Sequence, residues 1–218
     1  MSKGKIIVIE GACDGIGKST QYSLLKEKLG DRVITHHFPS YDSYQGKGVE
    51  KYLKGNYGDV KELSPYFVNN LYAYDRGVTW QTKLKDKYEE GYTILLDRYT
   101  TSSIIYQSCL IEDLEDRKKF IDYVVDYEYN KLQIGKPDEV IFLTAPFDIV
   151  TKLRNERKVN DGVQNDIHEK DLDFMKKVYD NAVFVADYLD WNIINCVEDE
   201  KFKEKEEIHK DICKKLML

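Results

Sequence analysis

Short runs of β-branched and aliphatic residues alternate along the chain with longer stretches whose apolar positions recur at helical spacing. The runs Lys5 to Ile9, Arg32 to His36, Tyr92 to Leu96, Glu139 to Leu143 and Asn192 to Asn195 are nearly all apolar, as strands covered on both faces should be. Between them the pattern predicts helices over Gly17 to Leu29, Lys47 to Leu53, Pro65 to about Glu89, Thr101 to Cys109, Leu114 to Leu132, Phe147 to Arg157, Asp171 to about Leu189 and Phe202 to Leu216. Ser64 before Pro65 supplies an N-cap with proline at the first helical position, which fixes the start of the long helix. Strand and helix in alternation specify an α/β fold, here five parallel strands flanked by helices.

One stretch breaks the pattern. Residues 157–165 are polar, turn-rich and without periodicity, and they join two helices. They are the candidate for a lid over about residues 154–166, although composition alone fits an ordinary surface loop as well. The charged C-terminal run carries Phe202, Ile208, Ile212 and Leu216 at helical spacing, so it is expected as an amphipathic helix. At 218 residues the chain is long enough for one well-buried core, and a single domain spanning 1–218 is expected.

Composition narrows the classes. No apolar run approaches the ~20 residues needed to cross a bilayer, and Ile6 to Ile9 is too short for a signal-peptide core. A cytoplasmic protein with no membrane partner is expected. With 33 Lys and Arg against 39 Asp and Glu, the net charge of −6 gives no bulk attraction for nucleic acid. Cys13, Cys109, Cys196 and Cys213 are far apart, with no metal-ligand spacing, and read as thiols, mostly buried.

The most informative residues follow the first strand: Glu10-Gly11-Ala12-Cys13-Asp14-Gly15-Ile16-Gly17-Lys18-Ser19-Thr20. A glycine-rich turn that opens a helix with Gly-Lys-Ser is a phosphate-binding loop. Its backbone N–H groups and helix N-terminus face the phosphates, Lys18 reaches the β and γ oxygens, and Ser19 holds Mg²⁺. The fold is therefore expected to be of the P-loop NTPase type, binding ATP through Asp14, Gly15, Ile16, Gly17, Lys18, Ser19 and Thr20. The motif asks for glycine at position 12, where Ala12 stands, while Gly11 lies one residue early. Either Ala12 takes that place, at roughly 1 kcal/mol if a positive φ is needed, or the turn is one residue longer.

Other motifs select among P-loop proteins. Asn130-Lys131-Leu132-Gln133 lacks the aspartate of a guanine-reading N-K-x-D. The third strand ends in Asp97-Arg98-Tyr99, followed by Ser102, Ser103, Tyr106 and Gln107, which resembles the D-R-Y-x-x-S-x-x-x-Y-Q block of the thymidylate kinase family. Leu71-Tyr72-Ala73-Tyr74-Asp75-Arg76 is similar to that family's L-[FY]-x-x-D-R helix, and Phe38-Pro39-Ser40-Tyr41 to its F-P-x-[RY]. Pro137-Asp138 before the fourth strand and Asp166-Ile167-His168-Glu169 after the lid complete five blocks in register, from about residue 5 to 190.

The resemblance implies a kinase that moves the γ-phosphoryl group of ATP to dTMP, working as a homodimer. It implies an acceptor site in which Tyr72 stacks on the base beside Arg76, with Ser103 and Gln107 facing the base. Tyr106 would crowd the 2′ position, and Tyr41 and Arg98 would hold the acceptor phosphate. The alternative for Arg76 is a surface ion pair with Asp75 or Asp86. Asp14 would lie near the acceptor phosphate and Asp97 near the metal. Gly15 stands where part of the family carries a P-loop arginine, so the chain resembles the lid-arginine type, with Arg157 and Arg154 as candidates. Lys18, Arg98, Arg157 and Asp14 are then the catalytic set. Another deoxynucleotide or deoxynucleoside kinase, or a catalytically weak nucleotide-binding regulator, remains as an alternative.

Overall fold

The computed structural model describes residues 3–13, 15–59, 62–153 and 172–218. Asp14, Arg154, Arg157 and the expected lid over 154–166 lie outside the described residues.

Each predicted strand forms. β1 (Ile6–Gly11), β2 (Val33–His37), β3 (Thr93–Asp97), β4 (Glu139–Thr144) and β5 (Asn192–Asn195) build one parallel sheet in the order β2-β3-β1-β4-β5. β1 is the centre and is buried along its whole length, which is why Ile6-Ile7-Val8-Ile9 shows no alternation. Its two faces nonetheless serve different layers. Ile7 and Ile9 pack with Leu25, Ile208 and Ile212, whereas Ile6 and Val8 pack with Trp80, Leu84 and Tyr99. A third cluster joins Phe142 to Ile104, Phe120, Ile121 and Val185.

The helices are α1 (Lys18–Leu29), α2 (Lys47–Leu53), α3 (Pro65–Thr79), α4 (Lys85–Glu89), α5 (Thr100–Ser108), α6 (Leu114–Val125), α7 (residues 147–153), α8 (Leu172–Tyr188) and α9 (Lys205–Leu216). Two expected long helices change register. The stretch from Pro65 to Glu89 passes through a π-helical turn at Trp80–Leu84, and α6 runs into another at Asp126–Lys131. Ser64 and Pro65 do start α3, but the Ser64 side chain makes no capping hydrogen bond. The C-terminal helix begins later than Phe202, which instead pairs with Val197 in a small hairpin of β6 (Val197–Glu198) and β7 (Lys201–Phe202). Glu204 then starts α9 with a capping box closed by Glu207, satisfying two of the N–H groups left over at the helix start. All four cysteines remain thiols, three of them buried, and burial pushes Cys109 and Cys196 up to about 12. Among the described residues no helix is long and apolar enough to cross a membrane.

β1 lies between β3 and β4, so the connections leaving β1 and β3 diverge to opposite sides of the sheet. A crevice at the carboxyl ends of the strands results, the usual ligand position in open α/β sheets. Gly11, His37 and Asp97 all sit at that edge.

Candidate active site

The turn between β1 and α1 is shaped by its glycines. Gly15 and Gly17 have φ of 92° and 93°, a left-handed backbone that costs a residue with a Cβ roughly 1–2 kcal/mol. Gly11 is needed for a different reason: a Cβ there would lie 2.8 Å from Ile16 Cγ2 and 3.3 Å from the Cγ and Cδ of Lys18. Ala12 is not among the described residues with positive φ, so the strain considered for it does not arise. Its N–H donates to the Leu143 carbonyl at 3.0 Å, which anchors the turn to β4. Of the two positions, Gly11 is thus the one where the space admits only glycine.

Lys18 opens α1 and is 7% exposed, its Nζ donating to the Cys13 carbonyl at 3.4 Å. The first turn of α1 contains no acidic residue, and Ser19 and Thr20 are exposed there. N–H groups at a helix start and a nearby ammonium make an anion site without further help.

At the end of β3, Arg98 has a φ of 63°. A left-handed arginine costs about 1–3 kcal/mol and is typical of residues held for function. The backbone reversal carries its guanidinium to 5.8 Å from the centre of the Tyr106 ring. Beside it, Asp97 Oδ2 pairs with His37 Nδ1 at 3.0 Å across the β2–β3 register. Burial pushes the Asp97 carboxyl up, but the His37 hydrogen bond and the charges of His37, Lys18 and Arg98 outweigh it and hold the group below the usual range. Its Oδ1 is buried with no hydrogen-bond partner, an acceptor suited to a cation or a water on one.

The acceptor-site residues singled out from sequence meet in one cleft at the carboxyl ends of the strands. Tyr41, Tyr72, Arg76 and Arg98 line it together with Ser103, Tyr106 and Gln107 of α5. Cys13 of the phosphate turn also reaches it, so the anion site and the cavity adjoin. Sequence reading missed Phe174, Met175 and Val178, which close the cavity from α8. Gln107 is 2% exposed and its Oε1 has no partner.

Three buried carboxylates hold these walls; Glu10 and Glu128 carry no sequence signal for that role, and Asp75 holds a partner other than the Arg76 expected for it. Glu10 accepts from the Gly11 N–H and from the hydroxyls of Thr101 and Ser102, tying the turn to α5. Asp75 accepts from the Ser40 N–H at 2.7 Å and fixes the loop bearing Phe38 and Tyr41 against α3. Arg76 is buried, and it pairs with neither Asp75 nor Asp86. Its Nε and Nη2 donate to Glu128 at 2.6 Å each, and Nη2 donates to Ser103 Oγ at 3.0 Å. Burial opposes the Arg76 charge, but Glu128 outweighs it and raises the guanidinium pKa further.

The family model for thymidylate kinase matches residues 9–212. Among solved structures, the thymidylate kinase of Candida albicans superposes with a TM-score of 0.75 at 24% identity, covering 100% of this chain and 93% of that one. The thymidylate kinase of Ehrlichia chaffeensis gives a TM-score of 0.68 at 19% identity, covering 99% and 100%. At such identities the structures speak for the fold, while the family match spans nearly the whole chain and includes both the phosphate turn and the cavity. The chain belongs to the thymidylate kinase family, the P-loop nucleoside monophosphate kinases that phosphorylate dTMP.

Proposed function

We propose that ATP lies along the Gly11 to Lys18 turn and dTMP in the adjoining cavity, with its phosphate toward Arg98 and its base between Tyr72 and α5. The observation that carries this reading is the continuity of the two sites: Cys13 of the turn and Arg98 line the same space as Tyr72, Arg76 and Gln107. A phosphate oxygen of dTMP attacks the γ-phosphorus and the bond to the β,γ-bridging oxygen breaks, giving dTDP and ADP. The nucleophile is already anionic, so no general base is required, and positioning with charge neutralisation carries the rate. Lys18 holds the β and γ oxygens, Arg98 grips the acceptor phosphate, and Asp14, Arg154 and Arg157 are assigned by resemblance alone. The orphaned Asp97 Oδ1 and the exposed Ser19 fit Mg²⁺, which when bound supplies charge neutralisation at the β and γ oxygens. Tyr106 abuts the sugar and favours deoxyribose.

The homodimer is proposed through α3 and α6. Phe67 and Tyr74 lie two turns apart on α3 and are 43% and 54% exposed, and exposed Tyr66 stacks edge-on against Tyr123 of α6 at 4.9 Å. Sedimentation at micromolar concentration reads it directly. A cytoplasmic location is proposed with it.

The test is ADP formation on adding dTMP, dUMP, dGMP and thymidine separately. The largest kcat/KM is expected with dTMP. No turnover with dTMP, alongside turnover with one of the others, would overturn the assignment.

A further inference from the structure

Glu128 lies in the π-helical turn that follows α6, is fully buried, and does not itself line the cavity. Its carboxylate is saturated from one side. Oε1 accepts from Arg76 Nη2, and Oε2 accepts from Arg76 Nε at 2.6 Å and from Thr100 Oγ1 at 3.0 Å. Arginine has five N–H donors in a fixed plane. Glu128 takes two, Ser103 Oγ takes a third, and the Tyr99 carbonyl takes a fourth from Nη1 at 3.4 Å. One Nη1 hydrogen is left among the described partners, and Arg76 lines the cavity.

We propose that Glu128 is a positioning residue for the acceptor site: it clamps Arg76 in one orientation and cancels its charge, so that this wall offers a single N–H and no net charge. An unclamped buried guanidinium would attract an anion and could turn in its plane. The clamped one is matched to an uncharged acceptor atom such as a base carbonyl, while Arg98 and Lys18 attract phosphate elsewhere. Side-chain freedom of Arg76 is removed before the ligand arrives, so less is lost on binding. This inference rests on the reading that the base lies at the Arg76 end.

The experiment uses the full chain. Wild type, Glu128→Gln and Thr100→Val are compared for dTMP affinity by calorimetry, and for kcat and KM with dTMP, with dCMP, and with ATP varied at saturating acceptor. Glu128→Gln keeps the shape but not the charge, and Thr100→Val removes only the hydroxyl that steadies Oε2. The expected result for Glu128→Gln is dTMP binding weakened at least 10-fold, an ATP KM within 2-fold of wild type, and a fall in the dTMP over dCMP preference. Thr100→Val is expected to weaken dTMP binding about 2- to 5-fold, and it serves as the deciding variant if Glu128→Gln does not fold. A purely structural role would lower the melting temperature and leave the acceptor preference and dTMP affinity of the folded fraction unchanged, and that outcome overturns the proposal. Wild-type chain inactive toward dTMP would instead overturn the site reading on which it stands.

Discussion

The phosphate turn allows a sharp test of which small residue serves the ATP site. In Gly11→Ala the new Cβ lies 2.8 Å from Ile16 Cγ2 and 3.3 Å from two atoms of the Lys18 stem. Ile16 is fully buried in the cluster formed with Ile9, Leu143 and Ile208, so it cannot swing clear. Lys18 must yield, or the turn must open. Overpacking of this kind costs about 1–3 kcal/mol. If all of it falls on ATP binding and transfer, kcat/KM for ATP drops about 5- to 150-fold. The companion variant Ala12→Gly should bring no gain. Ala12 needs no left-handed backbone, so glycine brings no relief; it costs about 0.5–1 kcal/mol through chain entropy and about 1 kcal/mol more for the buried methyl. Coupled assay of ADP release at saturating dTMP, with thermal melting of each variant, separates the two. Gly11→Ala with the wild-type ATP kcat/KM and melting temperature would refute the reasoning, as would a clear gain of activity in Ala12→Gly.

Three further outcomes are expected. Arg98→Ala removes an oriented charge-stabilising donor and should cost roughly 2–4 kcal/mol in kcat/KM for dTMP, and unchanged turnover would remove Arg98 from the site. His36 is held down to about 4, first by burial and then by the Lys83 charge. Its neutral form is the folded one, so the associated stability is complete above about pH 6.5 and is lost as the pH falls towards 4. A fully buried ring would lose about 3 kcal/mol, and the partly exposed one about 1–2 kcal/mol. His36→Gln should therefore flatten the acid limb of stability measured by denaturant titration, and an unaltered limb would exclude His36 as its source. In Gly135→Ala the Cβ would lie 2.3 Å from both Ile6 Cδ1 and the Trp80 ring, so a loss of about 1–3 kcal/mol or failure to fold is expected from melting curves, and an unchanged midpoint would contradict the packing described.

Much of this architecture is legible in the chain because its signals are local. Ile6 to Ile9 announces a doubly covered strand, Gly17-Lys18-Ser19 after that strand and its glycine-rich turn marks a helix start, and Tyr72 and Arg76 fall on one helical face by spacing alone. The residues that escaped are those whose meaning is tertiary. Glu10 and Glu128 read as ordinary acids, and Glu128 sits in the π turn at Asp126–Lys131, which departs from the 3.6-residue period by which a helix face is read. The π turn at Trp80–Leu84 does the same for Trp80 and Leu84, which reach the sheet beside Ile6 and Val8. The β6–β7 hairpin has two residues in each strand, too few for alternation to register, so the pattern alone assigns Phe202 to the following helix. Ala12 invited a strain argument because the motif counts positions, whereas the turn responds to the space beside Gly11.

The most direct measurement is a co-crystal structure with dTMP and a non-hydrolysable ATP analogue. The expected result has Lys18 Nζ and the N–H groups at the start of α1 within hydrogen-bond distance of the β and γ oxygens, with the dTMP phosphate on the Arg98 guanidinium. A triphosphate lying elsewhere, or an Arg98 turned away from the nucleotide in the cavity, would contradict it.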